Sequence, residues 1–251
     1  MTMRSTPGIT VERRRLLWLP VAVASQALLA AAARAQEAVS AGGGSVPVPD
    51  DPLAPLTRAA LGERWQALAR TQRARVATAD EPFVHQAMAW IARLPDAELA
   101  TLAKPRPASG FAAGPTWQLM PCLTVEFQMA PGAELRLHNH PPQVVISRCI
   151  DGEVRFRHCE PIGTPPPCTR IDGTKFEVRE TRTGVLKAGQ MTSLTRVRDG
   201  MHGFVAGEHG ARLVDFIATM SDDSSTFSYV ALSDEPLDEE RRTFEAVWTG
   251  K

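Results

Sequence analysis

The stretch PGAELRLHNHPPQVV, residues 131–145, decides the reading of this chain. Pro131-Gly132 is a turn signal, and the run after it alternates apolar and polar residues as a strand does. The run ends in two of the six histidines, His138 and His140, one residue apart. Strand side chains alternate faces, so both imidazoles point the same way, about 7 Å apart along the strand. Two neutral imidazoles at that spacing can grip one divalent metal if the face is an interior one. On an edge strand they would meet only solvent.

Outward from this stretch, the pattern from Trp117 onward is all strand. TWQLM, LTVEFQM, QVVISRCI, EVRFRHC, KFEVRETR, QMTSLTRV, HGFVAG and RLVDFIAT are short apolar and β-branched runs. APG, IDG, RIDG, KAG, RDG and GEHG separate them as turn signals. About nine strands with no long helix between them predict an antiparallel barrel or sandwich. Ahead of them, residues 56–104 read as helical. Leu56, Ala60, Leu61, Trp65, Leu68 and Val76 recur at helical spacing. Asp80 is placed to cap a second helix with Pro82 in its first turn, and Pro95-Asp96 to start a third.

The first 35 residues belong to no fold. VERRRLLWLPVAVASQALLAAAARAQ has a basic start, an apolar middle and an Ala-Arg-Ala ending, the marks of an export signal. Arg13-Arg14-Arg15-Leu16-Leu17 resembles a twin-arginine signal, which predicts delivery to the periplasm. The apolar middle is short and broken by Pro20 and Gln26, so stable membrane insertion after cleavage is not expected. Residues 36–55 read as a Gly/Pro/Ser-rich linker. The expected organisation is signal 1–35, linker 36–55, helical extension 56–104, barrel 110–235 and C-terminal tail 236–251.

Removing the signal takes five arginines and one glutamate, leaving 23 basic and 27 acidic residues. No basic stripe remains, so nucleic acid is not an expected partner. Cys122, Cys149, Cys159 and Cys168 could form up to two disulfides in an exported protein. Cys159 and Cys168 bracket a Pro-rich segment that must turn back, which makes them the first pair expected; buried free thiols are the alternative. No Cys-x-x-Cys spacing suggests zinc.

The remaining letters favour metal. Gly132 precedes His138 by five intervening residues, and His202 follows a later glycine turn into another strand. This resembles the two cupin motifs, G-x5-H-x-H and a later glycine-led histidine. The glutamate that most cupins place after the second histidine is missing; PPQVVIS stands there, with Gln143. MAPGAELRLHNHPPQVVISRCIDGEV and DGMHGFVAGEHGARLVDFIA further resemble the thiol dioxygenases of the cysteamine dioxygenase and plant cysteine oxidase branch. The resemblance covers roughly residues 117–230. It implies a mainly β, single cupin-type (double-stranded β-helix) barrel with an N-terminal helical extension. It also implies Fe(II) held by His138, His140 and His202, with Asp215 near the active site. The implied reaction takes a small thiol (cysteamine, cysteine) or a peptide with an N-terminal Cys, and O2, to a sulfinate.

Two departures stand out, the first being that the family's His-Pro-Gly-Met is His140-Pro141-Pro142-Gln143 here. The family's Pro-Pro-Tyr stretch after the aspartate is ATMSDD here, and the only tyrosine is Tyr229. Arg136, two residues before His138, shares its face by strict alternation and is a candidate to hold a substrate carboxylate. Asp215 is expected to face inward and hold the ring N–H of a ligand histidine, or a backbone group. His158 is read as a packed histidine or a support for a ligand, His85 and His209 as surface groups. A non-thiol cupin dioxygenase and a metal- or ligand-binding cupin without turnover remain alternative readings.

Overall fold

The computed structural model describes residues 55–75, 80–99, 106–221 and 227–250. The export signal, and the linker but for its last residue, lie outside the described residues. Among those described, no helix is long and apolar enough to cross a membrane.

Three helices, α1 (Arg58–Arg73), α2 (Asp80–Ile91) and α3 (Asp96–Leu99), precede nine strands. The strands are β1 (Phe111–Leu119), β2 (Cys122–Met129), β3 (Glu134–Asn139), β4 (Gln143–Pro161) and β5 (Lys175–Lys187). They continue with β6 (Met191–Leu194), β7 (Met201–Thr219), β8 (Tyr229–Leu232) and β9 (Thr243–Gly250). All pairings are antiparallel. Taken in turn, β7, β3, β8, β9, β5 and β4 are each paired to the next, and β4 pairs back to β7. That closes a ring, which leaves no free edge within it. The fold is mainly β, a closed antiparallel barrel with helices ahead of it, and it fits the expected cupin type. Residues 236–251, expected as a tail, hold β9, a member of that ring.

Two turn signals do not end strands. IDG (150–152) and GEHG (207–210) lie inside the 19-residue strands β4 and β7. Gly152 pairs with Ala211 and Val154 with Ala206, so β7 carries extra residues there as a bulge. Gly152 and Gly210 both have positive φ, and a Cβ on Gly152 would meet the Gly210 carbonyl oxygen at 2.2 Å. Glycine is required at this close approach. The bends let two long strands serve both ends of the barrel.

The helices cover one outer face of the sheet. Leu61, Trp65, Phe83, Val84 and Ile91 pack on Val144, Ile146, Val214 and Phe216. The Trp65 and Phe216 rings are 5.1 Å apart. β4 and β7 are thus buried on both faces where the helices lie, which explains their continuous apolar runs. Asp80 is not simply a cap. It is buried, and its carboxylate accepts from Gln72 of α1 and from the Arg196 backbone and guanidinium. Arg148 of β4 donates to the carbonyls of Ile91 and Leu94 at the end of α2 and pairs with Asp96. A cation there satisfies carbonyls the helix leaves open.

No disulfide forms among the described residues. Cys122 and Cys149 lie in different apolar clusters and cannot meet. Cys159 is enclosed among Leu137, Val178 and Met201, and Cys168 packs half-buried against the same cluster. The expected Cys159–Cys168 bond is therefore absent. Burial pushes the Cys159 thiol up to about 12, so it stays protonated and inert.

Candidate metal centre

His138 and Tyr229, His138 and His202, His202 and His158, and His158 and Arg182 are successive cross-strand partners. This row, running over β8, β3, β7, β4 and β5, is the organising feature of the site. Cross-strand partners lie side by side on one face. The row therefore puts three imidazoles, those of His138, His202 and His158, side by side before any side chain is placed.

His140 lies just past β3, where its backbone N–H donates to the Gly200 carbonyl. Its Nε2 is 3.0 Å from His202 Nε2, which is 3.1 Å from His138 Nε2. Ligating atoms of the three rings all lie within 4.8 Å of one another, and all three residues are buried. The other ring nitrogens fix the tautomers. His138 Nδ1–H donates to the Arg136 carbonyl (2.8 Å) and His140 Nδ1–H to Gln143 Oε1 (2.9 Å). A carbonyl oxygen can only accept, so on these two rings the proton is on Nδ1 and the Nε2 lone pair is bare.

Burial holds all three rings neutral. Desolvation lowers His138 and His202 well below the usual histidine value, and each is lowered further by the neighbouring imidazoles. His140 is pushed down to about 4, again by burial. Three Nε2 atoms brought this close, with bare lone pairs on His138 and His140, repel one another. One cation among them removes the repulsion, so the donor set fits a metal. The donors are three imidazoles and no carboxylate.

Asp215 on β7 faces the same site. Ser147 Oγ, on its cross-strand partner in β4, donates to Asp215 Oδ1 at 2.6 Å. Oδ2 has no hydrogen-bond partner and lies 3.7 Å from His202 Nε2. The carboxylate thus approaches the nitrogen that points at the other imidazoles; the expected hold on a ring N–H is not what the structure has. Burial pushes its pKa up to about 7, with the Ser147 bond opposing.

Arg136 is not beside the imidazoles. The β3–β7 register shifts between Leu135 and His138, so β3 carries one extra residue there. The bulge breaks alternation and leaves Arg136 exposed, its guanidinium carbon 4.3 Å from the centroid of the Tyr229 ring. Gly203 makes room for this bulge: a Cβ there would lie 2.9 Å from the Leu137 backbone nitrogen. Tyr229 in turn packs 6.0 Å from the His138 ring, and Phe227 packs 4.8 Å from it. Asn139, between the two histidines, accepts from the Ser228 backbone at 2.7 Å and so holds this aromatic pair in place.

His158 is wholly buried, its ring 6.1 Å from that of His202. His85 and His209 are exposed. The sequence reading missed Gln143 as a support, Ser147, Asn139, Phe227 and Asp199. Only Gln143 and Asn139 carried a signal, their places in the histidine motif.

No protein-family model matches the chain, and no curated protein matches it. Solved structures with some likeness include an RmlC-like cupin protein from Desulfovibrio desulfuricans, at TM-score 0.34 and 17% identity. That match covers 47% of this chain and 91% of that one. KdgF from Halomonas sp. gives TM-score 0.32 and 18% identity over 46% and 84%. Recombinant oxalate oxidase in complex with glycolate gives 0.34 and 17% over 51% and 57%. In its own geometry this chain is a closed antiparallel barrel that fits the cupin type, with a three-histidine group inside that could hold a metal.

Proposed function

We propose that the protein is an iron-dependent thiol dioxygenase, with Fe(II) held by His138, His140 and His202. The observation that carries this reading is the convergence of three buried, neutral imidazoles with no carboxylate among the donors. A neutral set leaves open positions and charge for substrate. Fe(II), when bound, would supply the Lewis acidity that favours thiolate and the redox chemistry by which O2 oxidises sulfur. The reaction balances as thiol plus O2 giving sulfinate plus a proton.

This chain's residues divide the remaining work. Arg136 O and Gln143 hold two rings in their metal-facing tautomers. Asp215 Oδ2, buried and without a partner, takes the thiol proton; a carboxyl raised to about 7 is matched to that role near neutral pH. Phe227 and Tyr229 pack against the His138 ring and exclude water on that side. Arg136 sits on the outer face of Tyr229, at the rim, where it can meet the charged end of an arriving thiol.

The test is oxygen uptake by residues 36–251 loaded anaerobically with Fe(II). Cysteamine, cysteine, 3-mercaptopropionate and a Cys-initiated peptide are offered in turn. Uptake matched by sulfinate, and lost in His202→Ala, supports the reading. Tight iron binding with no thiol-dependent uptake sinks it and favours a non-thiol dioxygenase or a binding cupin. Periplasmic delivery through the twin-arginine route is part of the proposal; unchanged export of an Arg13→Lys, Arg14→Lys variant would remove it.

A further inference from the structure

The row of cross-strand partners does not stop at the histidine triad. Beyond His202 come His158 and Arg182, neither used by the proposed chemistry. Arg182 borders a cavity of about 560 Å3 between α2 and strands β5 and β6, and His158 lies behind its wall. That volume lies in the range of small-molecule sites. None of the three metal-centre histidines lines it. His158 stands between, with Nε2 3.3 Å from Thr192 Oγ1 on the cavity wall and its ring against His202.

The charges around the cavity are mostly spent on one another. Glu160 pairs with Arg179, and Glu81 with Arg198. Asp199 is shared by His158, Arg198 and Arg182. All three nitrogens of the Arg198 guanidinium are engaged, with Glu81, Ser193 and Asp199. Arg182 differs. Its hydrogen bonds and ion pair, to Thr192 Oγ1, the Ser193 carbonyl, His158 and Asp199, all run through Nη2, and its guanidinium carbon lies 5.7 Å from the centroid of the Phe156 ring. Its Nε and Nη1 have no acceptor among the described residues, and its side chain is 44% exposed. It is thus a guanidinium pinned at one nitrogen with its remaining N–H groups unfilled. Val84, Met88 and Met191 give the same cavity an apolar wall.

We propose that this cavity is a second binding site, for a small molecule that carries a carboxylate on an apolar tail. The carboxylate accepts a charge-assisted hydrogen bond from Arg182 Nη1–H, the donor left free by the contacts on Nη2. The tail lies on Val84, Met88 and Met191. The inference does not rest on thiol oxidation, since the cavity and the imidazoles are separated by His158.

The probe is hexanoate, titrated calorimetrically into the full chain, with hexanamide as the uncharged control. Saturable hexanoate binding is expected, at least tenfold weaker for hexanamide and for Arg182→Gln. Met88→Trp, which fills the cavity and leaves the polar network whole, abolishes it. His202→Ala binds hexanoate as the unaltered protein does. Circular dichroism checks that Arg182→Gln is folded; if it is not, Met88→Trp and hexanamide decide. No saturable binding, equal binding of hexanamide, or full affinity in Met88→Trp overturns the proposal. Loss in His202→Ala also overturns it, because the probe would then be sitting at the histidines.

Discussion

His140 owes its orientation to one neutral amide. Gln143 Oε1 takes its Nδ1 proton, and the Gln143 backbone N–H returns to the His140 carbonyl at 2.7 Å. An amide in this place orients the ring without adding charge to the site, as a carboxylate would. Gln143→Leu keeps the bulk and removes the acceptor. Metal affinity is then expected to fall by about 10- to 100-fold, the usual effect of losing such a support. Competition with a chromophoric chelator measures it. Unchanged affinity would mean that the ring is held by packing alone.

Elements bring these residues together, and they do so through register. Gly203 lies opposite the bulge in β3, against the Leu137 backbone. Gly203→Ala must push that backbone away, at a cost of about 2 kcal/mol by the scale of overpacked cores. Because His138 and His202 flank the contact, metal affinity should fall with stability; a thermal melt and a metal titration test both. The helices are tied on by Asp80, which is fully buried against Arg196. Asp80→Ala leaves the half-buried Arg196 guanidinium and the buried Gln72 amide without their acceptor, and about 3 kcal/mol is expected to be lost in denaturant unfolding. A loss below about 1 kcal/mol would show that the helices are held by Trp65 and its neighbours instead. The same elements explain what could be read in advance. The Gly-x5-His-x-His spacing is local, so the histidine pair and its strand were legible. Arg136 was misplaced because a one-residue bulge, invisible to alternation, turns it outward. IDG and GEHG look like turns because glycines with positive φ serve bulges as well as turns. The pairing of Ser147 with Asp215, or of His158 with Arg182, depends on register between distant strands, which no local pattern encodes.

At the scale of the whole molecule, the site stores opposing proton linkages. His138, His140, His158 and His202 all have lowered pKa values, with burial the largest cause in each. Between the unfolded value near 6.5 and about 4, where His140 titrates, the unfolded chain binds more protons than the folded one. Their contribution is thus fully present above pH 6.5 and is lost as pH falls. Asp215 works the other way. Its carboxyl is raised to about 7, so the folded chain holds a proton that the unfolded chain has lost above about 4. That contribution is present at low pH and disappears as pH rises through 7. Four histidines outweigh one aspartate, so the metal-stripped protein should lose stability from pH 6.5 downward. Asp215→Asn keeps an acceptor for Ser147 and removes the ionisation. Its melting temperature, relative to that of the unaltered protein, should therefore rise between pH 5 and pH 8 when both are stripped with chelator. Saturating metal adds stability that binding to the folded state alone must confer, about 4 kcal/mol at a thousand times the dissociation constant. It also holds the histidines deprotonated, so the metal-loaded protein should resist acid to lower pH than the stripped one. A parallel pair of pH–melting curves for the stripped protein and its Asp215→Asn variant would show that the carboxyl titrates alike in the folded and unfolded chain, and the match of Asp215 Oδ2 to the role of proton acceptor near neutral pH would fall with it.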